Sequence, residues 1–290
     1  MPLISIIIST KNEEKNIANC LKSIQQQSYP QNKIEVIVVD NFSTDKTRQI
    51  AKKHAAQVYQ KGPERAAQRN FGIKKAKGKY ILFLDADMIL SPKLMAKAAK
   101  KMETQKNKKN SKQLIALYIN EKIKGSSFFN KIRNFERSFY TATVVDCVRF
   151  IKRSAFVKAG GFDERLTGPE DWDLDKRIRD SGRVALLKAK DAVIHHDETE
   201  LSLSQYLKKK KYYSQSFTHY IKKWGKNDPD LKKQLGFYYR YFGVFTENGK
   251  WRDLVQHPIL SLGMFFVKIL LGLNLISVLQ RDLLQSILER

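Results

Sequence analysis

In the first half of the chain, unbroken runs of branched apolar residues alternate with segments whose apolar positions recur at helical spacing. Ile4 to Ile8, Ile34 to Val39 and Tyr80 to Leu84 read as strands, with a shorter one at Gln57 to Gln60. Glu13 to Gln27, Lys46 to Ala55, Ala66 to Ala76 and a segment opened by Ser91 and Pro92 read as helices. A strand with one wet face alternates apolar and polar residues. These runs do not, so they predict a mostly parallel sheet, Rossmann-like, covered by helices on both faces. Further strands are expected at Leu114 to Ile119, Val144 to Phe150 and Val184 to Leu187, and helices at Phe128 to Tyr140 and around Glu170. The lysine-rich Lys97 to Lys112 reads as a solvated surface run.

The pattern changes near residue 200, which divides the chain into an α/β part, 1–200, and a helical extension, 201–290. From Gln205 to Arg252, lysines and arginines interleave with tyrosine, phenylalanine and tryptophan, and Pro258 to Leu279 is strongly apolar. Ser261, Lys268, Asn274 and Ser277 do not share one side at 100° per residue, so the apolar segment is not a clean amphipathic helix and reads as a spanning helix, a re-entrant pair of short helices or a buried core helix. Together with a formal charge of +25, these features predict contact with an anionic membrane surface. The two cysteines, Cys20 and Cys147, lack the spacing of a disulfide or zinc framework, and the first apolar stretch, too short and without the basic start of a signal peptide, reads as a buried strand. The expected place of work is the cytoplasm, at the inner face of the cell membrane.

Ligands of such a sheet bind beyond the carboxyl ends of its strands, so the residues there are candidate chemistry. Phe83-Leu84-Asp85-Ala86-Asp87 ends a buried strand in two carboxylates. Unpaired they would be costly, and a hard divalent cation, Mg²⁺ or Mn²⁺, would relieve that cost. The first strand ends in Thr10-Lys11-Asn12-Glu13 and the second in Asp40-Asn41-Phe42-Ser43-Thr44-Asp45. A carboxylate such as Asp40 can accept hydrogen bonds from a base or ribose, whereas Asn12, Ser43 and Asp45 also suit helix caps. Arg65 and Arg69, at the start of a helix, suit a diphosphate or an ordinary surface ion pair. Glu170 and Asp171 open another helix, where acids are favoured generally. A carboxylate held there against Trp172 would also serve as a general base. Of the adjacent His195 and His196, His196 is the preferred further metal ligand.

Taken together, Ser5 to Glu13, Val38 to Asp45, Ala67-Gln68-Arg69-Asn70-Phe71-Gly72, Phe83 to Asp87, Gly161-Phe162-Asp163-Glu164 and Glu170 to Leu174 resemble the family 2 glycosyltransferases of GT-A fold over about the first two hundred residues. The resemblance implies inverting transfer of a sugar from a nucleotide diphosphate sugar to a hydroxyl acceptor, a lipid-linked saccharide among the candidates. It implies Asp40, Thr10 and Glu13 at the nucleoside, Asp85 at the ribose and metal, Asp87 on the metal and Asp171 as base, and it places Asn70 within the donor-side motif. Lys11 stands where many members carry a stacking aromatic, which leaves the base open. The glutamine-and-tryptophan signature of processive synthases is missing, which implies one sugar per event.

Two other readings compete. A sugar nucleotidyltransferase needs a glycine-rich loop after the first strand, and Thr10 to Asn16 holds no glycine. A basic nucleic-acid-binding protein would explain the charge. Acids ordered along strand ends repel phosphate unless a metal intervenes, so no nucleic acid is expected.

Overall fold

The computed structural model describes residues 1–54, 57–104 and 113–288, with side chains described through Asn274. Ala55 of the second expected helix, residues 105–112 of the lysine-rich run and the side chains of 275–279 in the apolar segment lie outside the described residues. The elements are, in order, β1 (Ile4–Thr10), α1 (Ile17–Gln25), β2 (Ile34–Asp40), α2 (Thr47–His54), β3 (Gln57–Gln60), α3 (Arg65–Lys75), β4 (Tyr80–Asp85), β5 (Met88–Leu90) and α4 (Leu94–Thr104). There follow β6 (Leu114–Tyr118), β7 (Asn120–Lys124), α5 (Phe128–Ser138), β8 (Phe150–Lys152), α6 (Arg153–Lys158), α7 (Glu170–Ser181), β9 (Arg183–Leu186) and β10 (Val193–Asp197). The last part is helical: α8 (Leu203–Ser214), α9 (Phe217–Trp224), α10 (Pro229–Leu235), α11 (Val244–Thr246), α12 (Trp251–Gln256) and α13 (Pro258–Leu288).

A seven-stranded sheet runs β3-β2-β1-β4-β8-β6-β9, antiparallel only where β8 meets β4 and β6. Every residue of β1 is buried, as its unbroken apolar run requires. Ile4, Ile6 and Ile8 pack with Cys20, Leu21 and Leu94 on one face, while Ile7 packs with Ile73 and Leu174 on the other. α3 lies close on β1 because Gly72 has no side chain: a Cβ there would sit 2.5 Å from Cγ2 of Ile7. A second sheet, β5-β10-β7, pairs Met88 with His196 and so brings β10 beside the Asp85-Ala86-Asp87 turn.

The helical part is joined to the sheet domain by shared cores. Ile132, Phe139 and Val145 pack with Tyr206, Val244 and Met264, and Leu166 packs with Tyr220 and Leu231. Residue 200 is therefore a change of composition that the hydrophobic core crosses.

Two local expectations differ from what forms. Residues 144–149 are not a strand, and β8 begins only at Phe150. Side chains take up the backbone there: Gln234 donates to Val144 O, Trp172 Nε1 to Val145 O, and Val148 N donates to Asp175. α1 starts at Ile17 rather than Glu13 because the amides of Glu13 and Glu14 donate to Thr47 and Asp45 across the neighbouring loop.

Candidate active site

Beyond the carboxyl ends of β1 and β4 lies a cleft of about 370 Å³ lined by Thr10, Lys11, Glu13, Asn41, Glu64, Arg65, Gln68, Asp85 and Asp87, and walled by Lys209, Tyr212 and Tyr213 of α8. Register sets Ser9 opposite Asp85, and Ser9 Oγ donates to Asp85 Oδ1 at 2.9 Å. Beneath them Arg69 is fully buried, its guanidinium over the rings of Phe83 and Phe162. It donates at 2.8 Å both to Asp85 Oδ1 and to Asp171 Oδ1. Arg65 reaches Asp85 Oδ2 at 3.4 Å and Glu170 at 2.9 Å. Burial alone would raise the Asp85 carboxyl; Arg69, Arg65 and Arg149 outweigh it and hold it far below the usual carboxylate range.

Asp87 is different. Its Oδ1 is buried with no hydrogen-bond partner among the described residues, as is Oγ1 of Thr10 in the same cleft. Burial pushes the Asp87 carboxyl up, against the pull of nearby His196. Among the described residues no group of three or more His, Cys, Asp or Glu is arranged to hold a metal. A magnesium-type ion needs only one or two carboxylates when substrate phosphates supply other oxygens. The unpartnered oxygen of Asp87 beside Asp85 fits that donor set. His196 fits it less well than expected, because its Nε2 is already 2.7 Å from Glu121 and only Nδ1 is left to offer.

A second cavity, of about 550 Å³, lies between the sheet domain and the helical part; Arg65 and Tyr213 line both spaces. Asp171 faces it. With Oδ1 on Arg69, its Oδ2 stands 3.9 Å from Nη1 of Arg149, too far for a hydrogen bond. That nitrogen is buried without a hydrogen-bond partner among the described residues. A hydroxyl group both donates and accepts, so one placed between the two would satisfy both.

The expected site residues therefore separate. Thr10, Glu13, Arg65, Asp85 and Asp87 line the first cleft, and Asp171 and His196 line the second. Asp40 is fully buried and accepts from the amide and hydroxyl of Ser43, while Asn12 N donates to Ser43 Oγ at 2.8 Å and Asn12 Oδ1 accepts from Thr44 N at 2.9 Å. These three shape the loops rather than the cleft wall, because the Asp40 carboxylate, the Ser43 hydroxyl and the Asn12 side-chain oxygen are engaged in hydrogen bonds within and between the loops. Asn70 clamps the Gly160-Gly161-Phe162 turn through both backbone groups of Phe162. Glu170 is 1% exposed and paired with Arg65, an anchor with no open face. The sequence pattern does not point to Lys209, Tyr212, Tyr213 or Arg149 as site residues. The tyrosines and lysine belonged to a stretch read as lipid-facing, and Arg149 to an expected strand.

α8 approaches the site closely because Gly168 holds φ at +104°, where a Cβ would lie 2.7 Å from Cβ and 2.8 Å from O of Tyr213. Gly168→Ala is expected to cost on the order of 1–3 kcal/mol in stability and to weaken substrate binding by displacing Tyr213. Thermal melting and KM together check this, and an unchanged KM would separate Tyr213 from both spaces.

Residues 5–160 match the model of Glycosyl transferase family 2. The glycosyltransferase AglE of Haloferax volcanii is 37% identical over 94 residues, 30% of this chain and 31% of that protein. The poly(ribitol-phosphate) β-N-acetylglucosaminyltransferase TarS of Staphylococcus aureus is 36% identical over 104 residues, 33% of this chain and 18% of that protein. The match thus spans less than a third of either relative. Among solved structures, the mannosyltransferase PcManGT of Pyrobaculum calidifontis, in complex with GDP-Man and Mn²⁺, superposes over 95% of this chain and 87% of its own, with a TM-score of 0.62 and 20% identity. That likeness identifies the fold as GT-A. With more than half of its residues matching the family model, the chain belongs to glycosyl transferase family 2.

Proposed function

We propose that the protein transfers one sugar from a nucleotide diphosphate sugar in the first cleft to a hydroxyl acceptor in the second cavity, with inversion. The observation that carries this reading is the Asp85–Arg69–Asp171 chain. One buried guanidinium, held by two 2.8 Å hydrogen bonds, fixes a donor-side carboxylate and a carboxylate facing the second cavity. Asp171 Oδ2 takes the proton of the acceptor hydroxyl. The new bond forms from the acceptor's own hydroxyl oxygen to the anomeric carbon as the bond from that carbon to the diphosphate breaks on the opposite face. Arg65, shared by both spaces, stabilises the departing charge. Asp87 and Asp85 would hold Mn²⁺ or Mg²⁺, which when bound supplies charge neutralisation for the diphosphate. Release of nucleoside diphosphate and thermal stabilisation by uridine, guanosine and thymidine diphosphate sugars, each with Mn²⁺, test the reading. Stabilisation by none of them would overturn it.

The same reading places the enzyme at the cytoplasmic face of a membrane. Among the described residues no helix is long and apolar enough to cross one. However, Val255, Ile259, Leu262, Phe266, Ile269 and Leu273 recur every three or four residues along α12 and α13, each at least 55% exposed. Such a stripe with basic helices nearby suits an anionic lipid surface, each basic residue adding about 1 kcal/mol there. Leu262→Glu/Phe266→Glu is expected to abolish sedimentation with anionic liposomes while donor stabilisation persists. A wild-type protein that stays in the supernatant at low salt would remove the membrane from the proposal.

A further inference from the structure

The wall of the second cavity away from Asp171 holds charges that the transfer chemistry does not use. Most are paired there. Arg133 bonds Glu136 and Glu198 at 3.0 and 3.2 Å, Arg137 bonds Glu121 and Asp146 at 2.7 and 2.9 Å, and buried Lys268 lies 3.6 Å from Glu136. Two cations remain. Arg240 and Lys210 line the cavity half-buried, and neither has an ion-pair partner among the described residues. Each rests instead on aromatic rings, Arg240 over Tyr140 at 5.3 Å and Trp172 at 5.9 Å, and Lys210 over Tyr206 at 5.4 Å. Burial, with Arg133 and Arg240 close by, outweighs the attraction of Glu136 and pushes the Lys210 ammonium down to about 7.

We propose that this cavity is built for an acceptor that carries a phosphate group, with its hydroxyl-bearing sugar toward Asp171 and its phosphate between Arg240 and Lys210. The proposal rests on the transfer reading for the cavity's role as acceptor site. A planar guanidinium fork and a mobile ammonium together match the oxygens and charge of a phosphate. A neutral sugar would leave both cations without a counter-charge in direct contact. Aromatic rings such as Trp172 and Tyr213 along the path suit the faces of a sugar. The phosphate has two possible sources: a soluble phosphorylated glycan, or the link between a glycan and a lipid. The second accords with α13, which lines the cavity through Lys268, Leu271 and Gly272 and turns its apolar stripe outward.

The test measures binding of acceptor probes to full-length protein whose first cleft is saturated with nucleoside diphosphate and Mn²⁺, so that phosphate cannot report from there. The probes are a free hexose, the same hexose 1-phosphate, and the hexose joined through phosphate to a polyprenyl chain in neutral-lipid vesicles. At least one phosphorylated probe is expected to bind about ten-fold or more tightly than the free sugar, since charged hydrogen bonds contribute on that scale. Arg240→Gln and Lys210→Gln should each erase most of the preference. The donor-induced thermal shift, read in the same variants, reports that fold and first cleft are intact. Tight binding of the soluble probe with no gain from the polyprenyl chain would assign the phosphate to a soluble glycan, and clearly tighter binding of the vesicle-borne probe would assign it to the lipid link. Equal binding of neutral and phosphorylated probes, or a preference that survives both substitutions, would overturn the proposal. Absence of any donor-induced shift in the wild type would instead overturn the transfer reading, and the probe affinities would still judge the phosphate site.

Discussion

Asp171→Asn is expected to lower the transfer rate by about 10²- to 10⁴-fold, the usual contribution of a positioned general base, with donor affinity unchanged. The amide oxygen can still accept from Arg69, which now donates to Asp171 Oδ1 at 2.8 Å, so the link to Asp85 survives. Proton acceptance at the position of Oδ2 does not. Single-turnover rates beside donor thermal shifts check the two halves separately. A wild-type rate would remove the base. A parallel loss of donor binding would show that Asp171 acts as an anchor for Arg69.

The second large effect has opposite signs for stability and for function. Asp87→Ala removes a carboxylate oxygen that is buried with no hydrogen-bond partner among the described residues, so the protein without ligand should melt no lower than wild type, and higher if desolvation dominates. Turnover should nevertheless vanish, along with the stabilisation by Mn²⁺ and donor. At a ligand concentration of 100 Kd that stabilisation is about 2.7 kcal/mol, a shift easily read by calorimetry. Full activity of the variant in excess chelator would sink the assignment. A marked loss of stability without ligand would mean that the carboxylate is a structural partner.

The strands were legible because branched apolar runs with no polar alternation have one stable use, a sheet buried on both faces. Ile4, Ile6 and Ile8 on one face and Ile7 on the other bear this out. The acids after β4 were legible for a related reason, since two carboxylates at the end of a buried strand are too costly to be incidental. Local pattern misled where side chains, not strands, satisfy the backbone, as at 144–149. It also left α13 ambiguous. Ser261 and Lys268 looked like interruptions of an apolar segment. In the fold they are the buried side, with Ser261 Oγ donating to Leu254 O at 2.8 Å and Lys268 set against Glu136, while the apolar stripe faces outward.

By itself, then, the sequence determined the layered α/β architecture, the edge of the sheet at which chemistry gathers, and the acids that carry it, because burial and periodicity act over a few residues. Tertiary structure decided which of those acids work together. Arg69 and Asp171 lie 102 residues apart yet meet at 2.8 Å, and Tyr212 and Tyr213 return from beyond residue 200 to wall the first cleft. Such meetings depend on the order of strands in the sheet and on how the later helices pack against it. No local repeat of apolar and polar positions encodes that order, because the free energy that selects it resides in contacts between distant parts of the chain.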